Sequence, residues 1–193
     1  MKRLVLLLLP ILSMLTLASP VLSADLPAEK EVLPKITLEV PDNEEYRGYL
    51  GLTQAPGETF TLEDIDADIL LIELFSMYCP FCQEEAENVN ALFDIMYDFS
   101  KPEFSVKIIG LGANNSAFEV DHYRNTYGVR FPLFPDQDMS MYNALGGKGT
   151  PTFIACKKEA DHSCTIIQRL SGGFYQPDEF FKELLHKSGY NKQ

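Results

Sequence analysis

The feature that most constrains the fold is a continuous apolar run, Ile69–Phe75, followed after four residues by a helical pattern. The run contains one acid, Glu73, and such runs are typical of strands buried on both faces, as in a parallel sheet. In Pro80–Asp98 apolar side chains recur at spacings of three and four, and proline suits a first helical turn because its missing N–H would be unpaired there. A buried strand that leads into a long helix predicts an α/β sheet.

The rest of the chain continues this alternation of strands and helices. Phe104–Leu111 predicts a second buried strand. Ser116 and Glu119 have capping-box spacing and open a helix that ends near Tyr127, with Gly128 after it. The other predicted elements are four strands, a short extended piece, a short helix and a final amphipathic helix, and the last two strands form an antiparallel hairpin. The strands are Lys35–Val40, Phe60–Leu62, Thr152–Cys156 and Thr165–Leu170, the extended piece is Phe131–Phe134, and the helices are Asp138–Leu145 and Pro177–His186.

The N-terminal segment has the pattern of a secretory signal peptide. Met1–Arg3 is positively charged, Leu4–Leu17 is almost entirely apolar, and small residues follow up to Ala24. An uncleaved membrane anchor is the alternative, but an apolar run of about 14 residues is short of the roughly 20 that span a bilayer. We therefore predict a signal peptide at 1–24, an N-terminal arm at 25–43 and one domain at 44–193.

Export determines how the cysteines are interpreted, because disulfides form and persist outside the cytosol. The predicted location is periplasmic or secreted, and the chain after the signal peptide has four cysteines, an even number. The net charge of −12 makes nucleic acid and anionic membrane surfaces poor partners. The oligomeric state does not follow from the sequence.

Cys79 and Cys82 lie at the predicted junction of strand and helix. The helix start favours a thiolate at Cys79, which makes it the attacking group, and Cys82 lies one turn later on the buried side as the resolving thiol. One alternative is half of a zinc site, completed by Cys156, Cys164 or His162, although their spacing is irregular. Another is an inert structural disulfide. We predict the redox pair, with no metal and no cofactor.

Two motifs together carry a family resemblance. The segment Glu73–Cys82 resembles the active-site strand and helix start of the thioredoxin superfamily, and Gly149–Phe153 resembles its cis-proline loop. The resemblance implies a thioredoxin-like α/β fold, with a mixed central sheet flanked by helices. The 72 residues from Cys79 to Pro151 resemble the TlpA/ResA-like periplasmic thiol–disulfide oxidoreductases, with a β-α insertion between the CxxC helix and the cis-proline strand.

The same resemblance implies two supporting acids. Glu73 would exchange protons with Cys82 from a buried position, where a carboxyl pKa rises; the alternative is a partly exposed acid at a sheet edge. Glu85, three residues after Cys82, would lie near the disulfide, or it would be an ordinary solvated acid in the first turn of the helix.

The resemblance also implies a substrate-binding loop. Thr150 and Pro151 would be joined by a cis bond that faces Cys79, so that the backbone of Thr150 could pair with an extended substrate. Tyr78 and Phe81 would then flank the thiol as substrate contacts, or they would serve only in packing.

Cys156 and Cys164 lie on the two strands of the predicted hairpin, and equal steps back from its tip could bring them together. A structural disulfide is the favoured interpretation; a second redox pair and two free thiols are the alternatives.

The resulting hypothesis is an oxidoreductase acting on thiols and disulfides of exported proteins, as a reductase of the cytochrome c maturation type recharged by a membrane electron-transfer partner. Pro80-Phe81 is closer to DsbA and glutaredoxin, which keeps a DsbA-like oxidase or an isomerase open. A thioredoxin-fold binding or chaperone module with structural cysteines is the alternative from another class.

Overall fold

The computed structural model describes residues 30–190. The predicted signal peptide, 1–24, and the first residues of the predicted arm, 25–29, lie outside this range. Among the residues described, no helix is both long and apolar enough to span a bilayer. The strands are β1 (Thr37–Glu39), β2 (Thr59–Thr61), β3 (Ile69–Phe75), β4 (Val106–Ala113), β5 (Leu133–Asp136), β6 (Thr152–Lys158) and β7 (Cys164–Ser171), and the helices are α1 (Glu44–Leu50), α2 (Pro80–Phe99), α3 (Ala117–Tyr127), α4 (Ser140–Ala144) and α5 (Pro177–Ser188).

Five strands form the central sheet, in the order β5-β4-β3-β6-β7. The β4 strand runs parallel to both β3 and β5, whereas β6 is antiparallel to β3 and to β7, so the sheet is mixed. The order places β3 at the centre, and its seven residues are all buried. Between α2 and β6 lie β4, α3, β5 and α4; the assignment of one β-α unit among them as an insertion stays a prediction.

Each face of the sheet carries its own hydrophobic core. On one face, Ile69, Leu71 and Phe75 of β3 pack against α2, α3 and α5. On the other, Leu70, Ile72 and Leu74 pack against the N-terminal arm, β2 and the residue that follows α4. This division follows from the two-residue period of a strand, which sends alternate side chains to opposite faces. The CxxC helix, α2, therefore packs on the face of the sheet that carries Ile69, Leu71 and Phe75.

The described part of the arm is an integral layer of the second core. Leu33, Ile36, Leu38 and Val40 are buried there, and β1 pairs with β2 in a separate two-stranded sheet. The amide of Leu33 also donates to the carbonyl of Cys164, so the arm covers the edge of β7. Covering an edge satisfies backbone groups that would otherwise attract another strand.

No element was predicted for residues 44–59, yet the structure contains α1. Asn43 caps this helix by accepting hydrogen bonds from the amides of Glu45 and Tyr46, and Gly51 ends it in the left-handed conformation at φ 74°. An asparagine cap and a terminal glycine are ordinary helix boundaries. A helix of only seven residues has too short an apolar pattern to stand out between them.

Candidate active site at the start of helix α2

Cys79 is the N-cap residue of α2, with an extended backbone at φ −88° and ψ 113°. Its Sγ accepts a hydrogen bond from the amide of Cys82, at 3.4 Å. Pro80 occupies the first helical turn, where the missing N–H costs nothing. The sulfur therefore lies among unpaired amides at the positive end of a 20-residue helix, a position that stabilises an anion.

The two thiols are free, and their surroundings differ. Partial burial raises the pKa of Cys79, but hydrogen bonds from Thr150, from Cys82 and from the amide of Phe81 outweigh it, and the net pKa is lower than that of an ordinary thiol. Burial raises the pKa of Cys82 far above the ordinary range, and the neighbouring Cys79 and Glu73 raise it further. The site thus holds one sulfur that ionises readily and one that resists ionisation.

The loop before β6 lies directly over the first thiol. The bond between Thr150 and Pro151 is cis, and the Cys79 thiol donates a hydrogen bond to the Thr150 carbonyl at 3.1 Å. Thr152 braces the loop by donating from its hydroxyl to the carbonyl of Gly149 at 2.8 Å. Ionisation removes the proton that the Thr150 carbonyl accepts, and the thiolate is then held by the side chain of Thr150 and by the amides of the helix start.

Glu73 is buried beneath α2 at the centre of the sheet, 2% exposed. Its Oε1 has no hydrogen-bond partner among residues 30–190. Burial raises the pKa of Glu73 to about 8, with the charges of Glu85 and Cys79 as further causes. The position on β3, paired on both sides, excludes the alternative of an acid at a sheet edge. A carboxyl with this pKa gains and loses a proton close to neutral pH.

Glu85 is also buried, 9% exposed, so it is not a solvated acid of the first turn. Its Oε1 accepts a hydrogen bond from the amide of Phe174 at 2.7 Å, and its Oε2 accepts one from the side chain of Asn88 at 3.3 Å. A Cβ on Gly173 would clash with the carboxylate of Glu85, so a larger residue there would force this side chain to shift. Glu85 therefore joins the active-site helix to the loop between β7 and α5.

The two aromatic residues of the motif are exposed. Tyr78 is 60% exposed and Phe81 is 70% exposed, on either side of the half-buried Cys79. The hydroxyl of Tyr78 donates to the carboxylate of Glu119 in α3. Neither ring is buried in the core, which leaves both available to a partner.

Two further residues shape the site, and neither was predicted from the sequence. Asn115 is fully buried, and its Oδ1 accepts a hydrogen bond from the amide of Met77 at 2.8 Å. Tyr123 donates from its hydroxyl to the carbonyl of Cys82 at 2.9 Å. The sequence signals for them were weak. Asn115 is one of two adjacent asparagines between a strand and a capping box, and Tyr123 is a tyrosine on the apolar side of α3. These contacts bind the motif to α3 and to the loop before it.

Cys156 and Cys164 are joined in a disulfide, with their Cα atoms 5.5 Å apart. Both lie in the second core, on the face of the sheet away from Cys82. Being bonded to each other on that face, they are not ligands beside Cys79. Within residues 30–190, no group of three histidine, cysteine or acidic residues is arranged to hold a metal ion.

Comparisons with known proteins agree with this geometry. A family model described as "AhpC/TSA family" matches residues 34–169. The chain is similar to the curated "Thiol-disulfide oxidoreductase ResA" of Halalkalibacterium halodurans, with 26% identity over 135 residues that cover 69% of this chain and 72% of the relative. ResA of Bacillus thuringiensis strain Al Hakam is 24% identical over 121 residues, which cover 63% of this chain and just under two thirds, 65%, of that relative.

Comparison with a solved structure identifies the type of fold. The thioredoxin domain of a thiol-disulfide oxidoreductase from Bacteroides vulgatus superposes with a TM-score of 0.58, at 14% identity, and covers 81% of this chain and 98% of that domain. At this level of identity the likeness concerns the fold alone. The fold is thioredoxin-like, as the resemblance of the two sequence motifs implied.

Proposed function

The chain belongs to the AhpC/TSA family, and on that premise we propose that it is an enzyme, a protein thiol–disulfide oxidoreductase that acts through Cys79 and Cys82. One observation carries the proposal: a half-buried thiol of lowered pKa caps a helix, one turn from a buried thiol of raised pKa. The two steps of disulfide exchange require this difference in pKa. The attacking sulfur must be a thiolate, and the resolving sulfur must stay protonated until the mixed disulfide has formed.

The chemistry has two steps, written here for reduction. The Cys79 thiolate attacks one sulfur of a substrate disulfide, forms a mixed disulfide and releases the other substrate sulfur as a thiolate. Cys82 then loses its proton and attacks Sγ of Cys79, which closes the Cys79–Cys82 disulfide and releases the second substrate thiolate. Two electrons pass from the protein dithiol to the substrate, and the two released thiolates take up protons. Oxidation of a substrate dithiol is the same sequence reversed.

Glu73 is the proton carrier in this proposal. Its ionised form accepts the Cys82 proton as that thiol attacks, and its protonated form returns a proton when the disulfide opens. The support is the burial of Glu73 near Cys82, its Oε1, which has no partner within residues 30–190, and its pKa of about 8. A general base of this kind works best when its pKa lies near the working pH. Glu85 supports the site by holding the loop after β7 and by raising the pKa of Glu73.

The finer proposal is a reductase for exported proteins, recharged by a membrane electron-transfer partner. Its support is the signal-peptide pattern at 1–24 and the similarity to relatives named ResA. Cys156–Cys164 would then be a structural disulfide of an exported domain, and Tyr78, Phe81, Thr150 and Pro151 would be the contacts of the substrate. A periplasmic or secreted location and a substrate such as apocytochrome c belong to this proposal.

One observation favours the opposite direction. A lowered pKa of Cys79 stabilises the reduced form of the pair, and a stabilised reduced form is what makes DsbA a strong oxidant. The second candidate is therefore a DsbA-like oxidase or an isomerase.

The activity is tested with insulin as a disulfide substrate. We expect the reduced protein to reduce insulin, Cys79→Ser to have no activity, and Cys82→Ser to accumulate a mixed disulfide with the substrate. A Cys79→Ser protein that still reduced insulin would falsify the mechanism.

The direction is tested by equilibrating the Cys79–Cys82 couple with glutathione. A reduction potential near about −270 mV, as in thioredoxin, supports the reductase, and one near about −120 mV, as in DsbA, supports the oxidase.

A further inference from the structure

Large hydrophobic side chains are mostly buried in residues 30–190, and the exceptions are unevenly placed. The exposed ones are Val32, Tyr78, Phe81, Tyr97, Phe118 and Tyr175. Four of these six belong to segments that meet at Cys79. Exposed apolar residues scattered singly need no explanation, but a group on one side of a molecule marks an interaction surface.

Phe118 lies on the side of the thiol formed by α3. It is in the first turn of that helix and 78% exposed. Its neighbour Glu119 accepts the hydroxyl of Tyr78, and Asn115, three residues earlier, accepts the amide of Met77. These two contacts bring the start of α3 against the segment that leads into Cys79.

Tyr175 lies on the other side, in the loop between β7 and α5. Gly172 in this loop donates its amide to the carbonyl of Pro151 at 2.9 Å, and Phe174 donates its amide to Glu85 at 2.7 Å. The loop is thereby fixed beside both the cis-proline and α2. Phe174 is buried, whereas Tyr175 is 98% exposed, so its ring contributes nothing to the core.

The unpaired charges on the segments that carry these rings are mainly negative, since Arg169, Lys182 and Lys187, which line a pocket with Tyr175, are each paired with an acid. Glu84 and Glu87 in the first two turns of α2 and Asp178 in the first turn of α5 are exposed, and within the described part of the chain none of the three lies in an ion pair. Lys148 is the exposed cation that precedes the loop over Cys79. Together with a net charge of −12, this distribution fits a basic partner.

We propose that Phe118 and Tyr175, with Tyr78 and Phe81, form a docking surface for an extended, basic polypeptide segment that carries a cysteine between apolar residues. The proposal rests on the proposed function, because the occupant must bring a sulfur to Cys79. Cys79 is less exposed than the rings on either side of it. A single extended strand can fit between the rings and reach the thiol, whereas a partner with a flat surface would contact only the rings. A second copy of this acidic chain and an anionic bilayer would both be repelled.

The test uses decapeptides with one cysteine, each linked by a disulfide to nitrothiobenzoate. Cys79 attacks the peptide sulfur and expels the coloured aryl thiolate, and Cys82 then releases the peptide as a thiol. One peptide has phenylalanines beside the cysteine and lysines outside them. The second replaces the lysines by glutamates, the third replaces the phenylalanines by serines, and the symmetrical aryl disulfide serves as the small substrate.

We expect the wild-type protein to react at least about 10-fold faster with the first peptide than with either other peptide, and added salt to reduce the preference over the acidic peptide. Phe118→Ser and Tyr175→Ser should each slow the first peptide by about 3- to 10-fold, as interface aromatics do when truncated. Both variants should leave the rate with the small aryl disulfide within about twofold. Tyr97→Ser is the matched control, because Tyr97 is 63% exposed but lies about 25 Å along α2 from its start.

Equal rates for the three peptides, or an unchanged rate in the Phe118→Ser/Tyr175→Ser protein, would overturn the docking surface while leaving the proposed function intact. Failure with the small aryl disulfide as well would instead contradict the proposed function. A concentration-dependent dimer in sedimentation that Phe118→Ser/Tyr175→Ser abolishes, or binding to anionic vesicles that requires these rings, would assign the surface to another occupant and reject the proposal.

Discussion

The chain contains two cysteine pairs whose sulfurs have opposite surroundings. Cys79 and Cys82 lie where the central strand passes into a helix, and both are free thiols. Cys156 and Cys164 lie on neighbouring strands of a hairpin and are bonded to each other within a hydrophobic core. The first pair has backbone amides and a path to solvent, and the second has neither a helix start nor exposure. Reactivity is therefore set by the backbone around a cysteine, not by the spacing of the pair.

The two pairs also differ in what holds their surroundings in place. The segments around Cys79 are held by hydrogen bonds to one another: Asn115 accepts the amide of Met77, Glu85 accepts the amide of Phe174, and the amide of Gly172 donates to the carbonyl of Pro151. The hairpin pair is covered by the N-terminal arm, whose Leu33 amide bonds to Cys164. The region around Cys79 is accessible to a substrate sulfur, whereas the region around Cys156 and Cys164 is not. The predictions below test that division.

The largest expected effect separates the pairs by activity. Cys79→Ala should lower disulfide exchange by at least about 10⁴-fold, because the remaining thiol, Cys82, is buried and resists ionisation. The Cys156→Ala/Cys164→Ala protein should keep its rate within about twofold. Insulin reduction at equal concentrations of folded protein measures both, and a comparable loss in the two proteins would remove the distinction between the pairs.

The second prediction concerns Glu73, which belongs only to the reactive region. Its folded-state pKa of about 8 lies above the ordinary value of 4.5, so between these pH values the folded protein holds a proton that the unfolded chain has released. The stabilising effect of that proton is complete below about pH 4.5 and is lost as pH rises through 8. The loss amounts to no more than about 5 kcal/mol.

Glu73→Gln should remove this dependence. Urea unfolding of reduced wild type and of Glu73→Gln should give similar stabilities at about pH 5 and a more stable variant at about pH 9. The exposed Glu84→Gln is the matched control and should follow the wild type. Parallel stability curves for Glu73→Gln and wild type across this range would show that Glu73 does not titrate as described.

The third prediction concerns the hairpin pair alone. The Cys156→Ala/Cys164→Ala protein should lose about 2–3 kcal/mol of unfolding free energy, as expected for a bridge that closes a short loop. Urea unfolding, with active-site titration as the second readout, measures it. If stability were unchanged and activity lost, the hairpin pair would be a redox pair and not a structural one.

The smallest effect concerns the link from α2 to the loop after β7. Glu85→Ala should cost about 1–2 kcal/mol, because the buried Phe174 amide loses its acceptor. Glu85→Gln keeps an oxygen at that position and should cost less than about 1 kcal/mol. Glu85→Gln should also lower the pKa of Glu73, because the charge of Glu85 raises it. Carbon-labelled glutamate NMR measures that pKa, and an unchanged value would show that the two acids are not coupled.

Much of the fold was predictable because its signals are local. The bounds predicted for β3, Ile69–Phe75, match the structure, and the capping box at Ser116 and the terminal Gly128 gave both ends of α3. The short helix α1 was missed, since seven residues offer little periodicity. The arm was treated as separate from the domain, because burial of Leu33 and Val40 depends on partners far along the chain.

The sequence by itself determined the strand, the helix start and the place of two cysteines between them, because backbone amides and a helix dipole act within one turn. Only the tertiary structure decided that Glu73 has a buried oxygen with no partner in the described residues, that Glu85 accepts the amide of Phe174, and that Phe118 and Tyr175 lie on two sides of Cys79. Those relations join segments up to 89 residues apart. They arise from how helices and loops pack on the sheet, which no local pattern encodes.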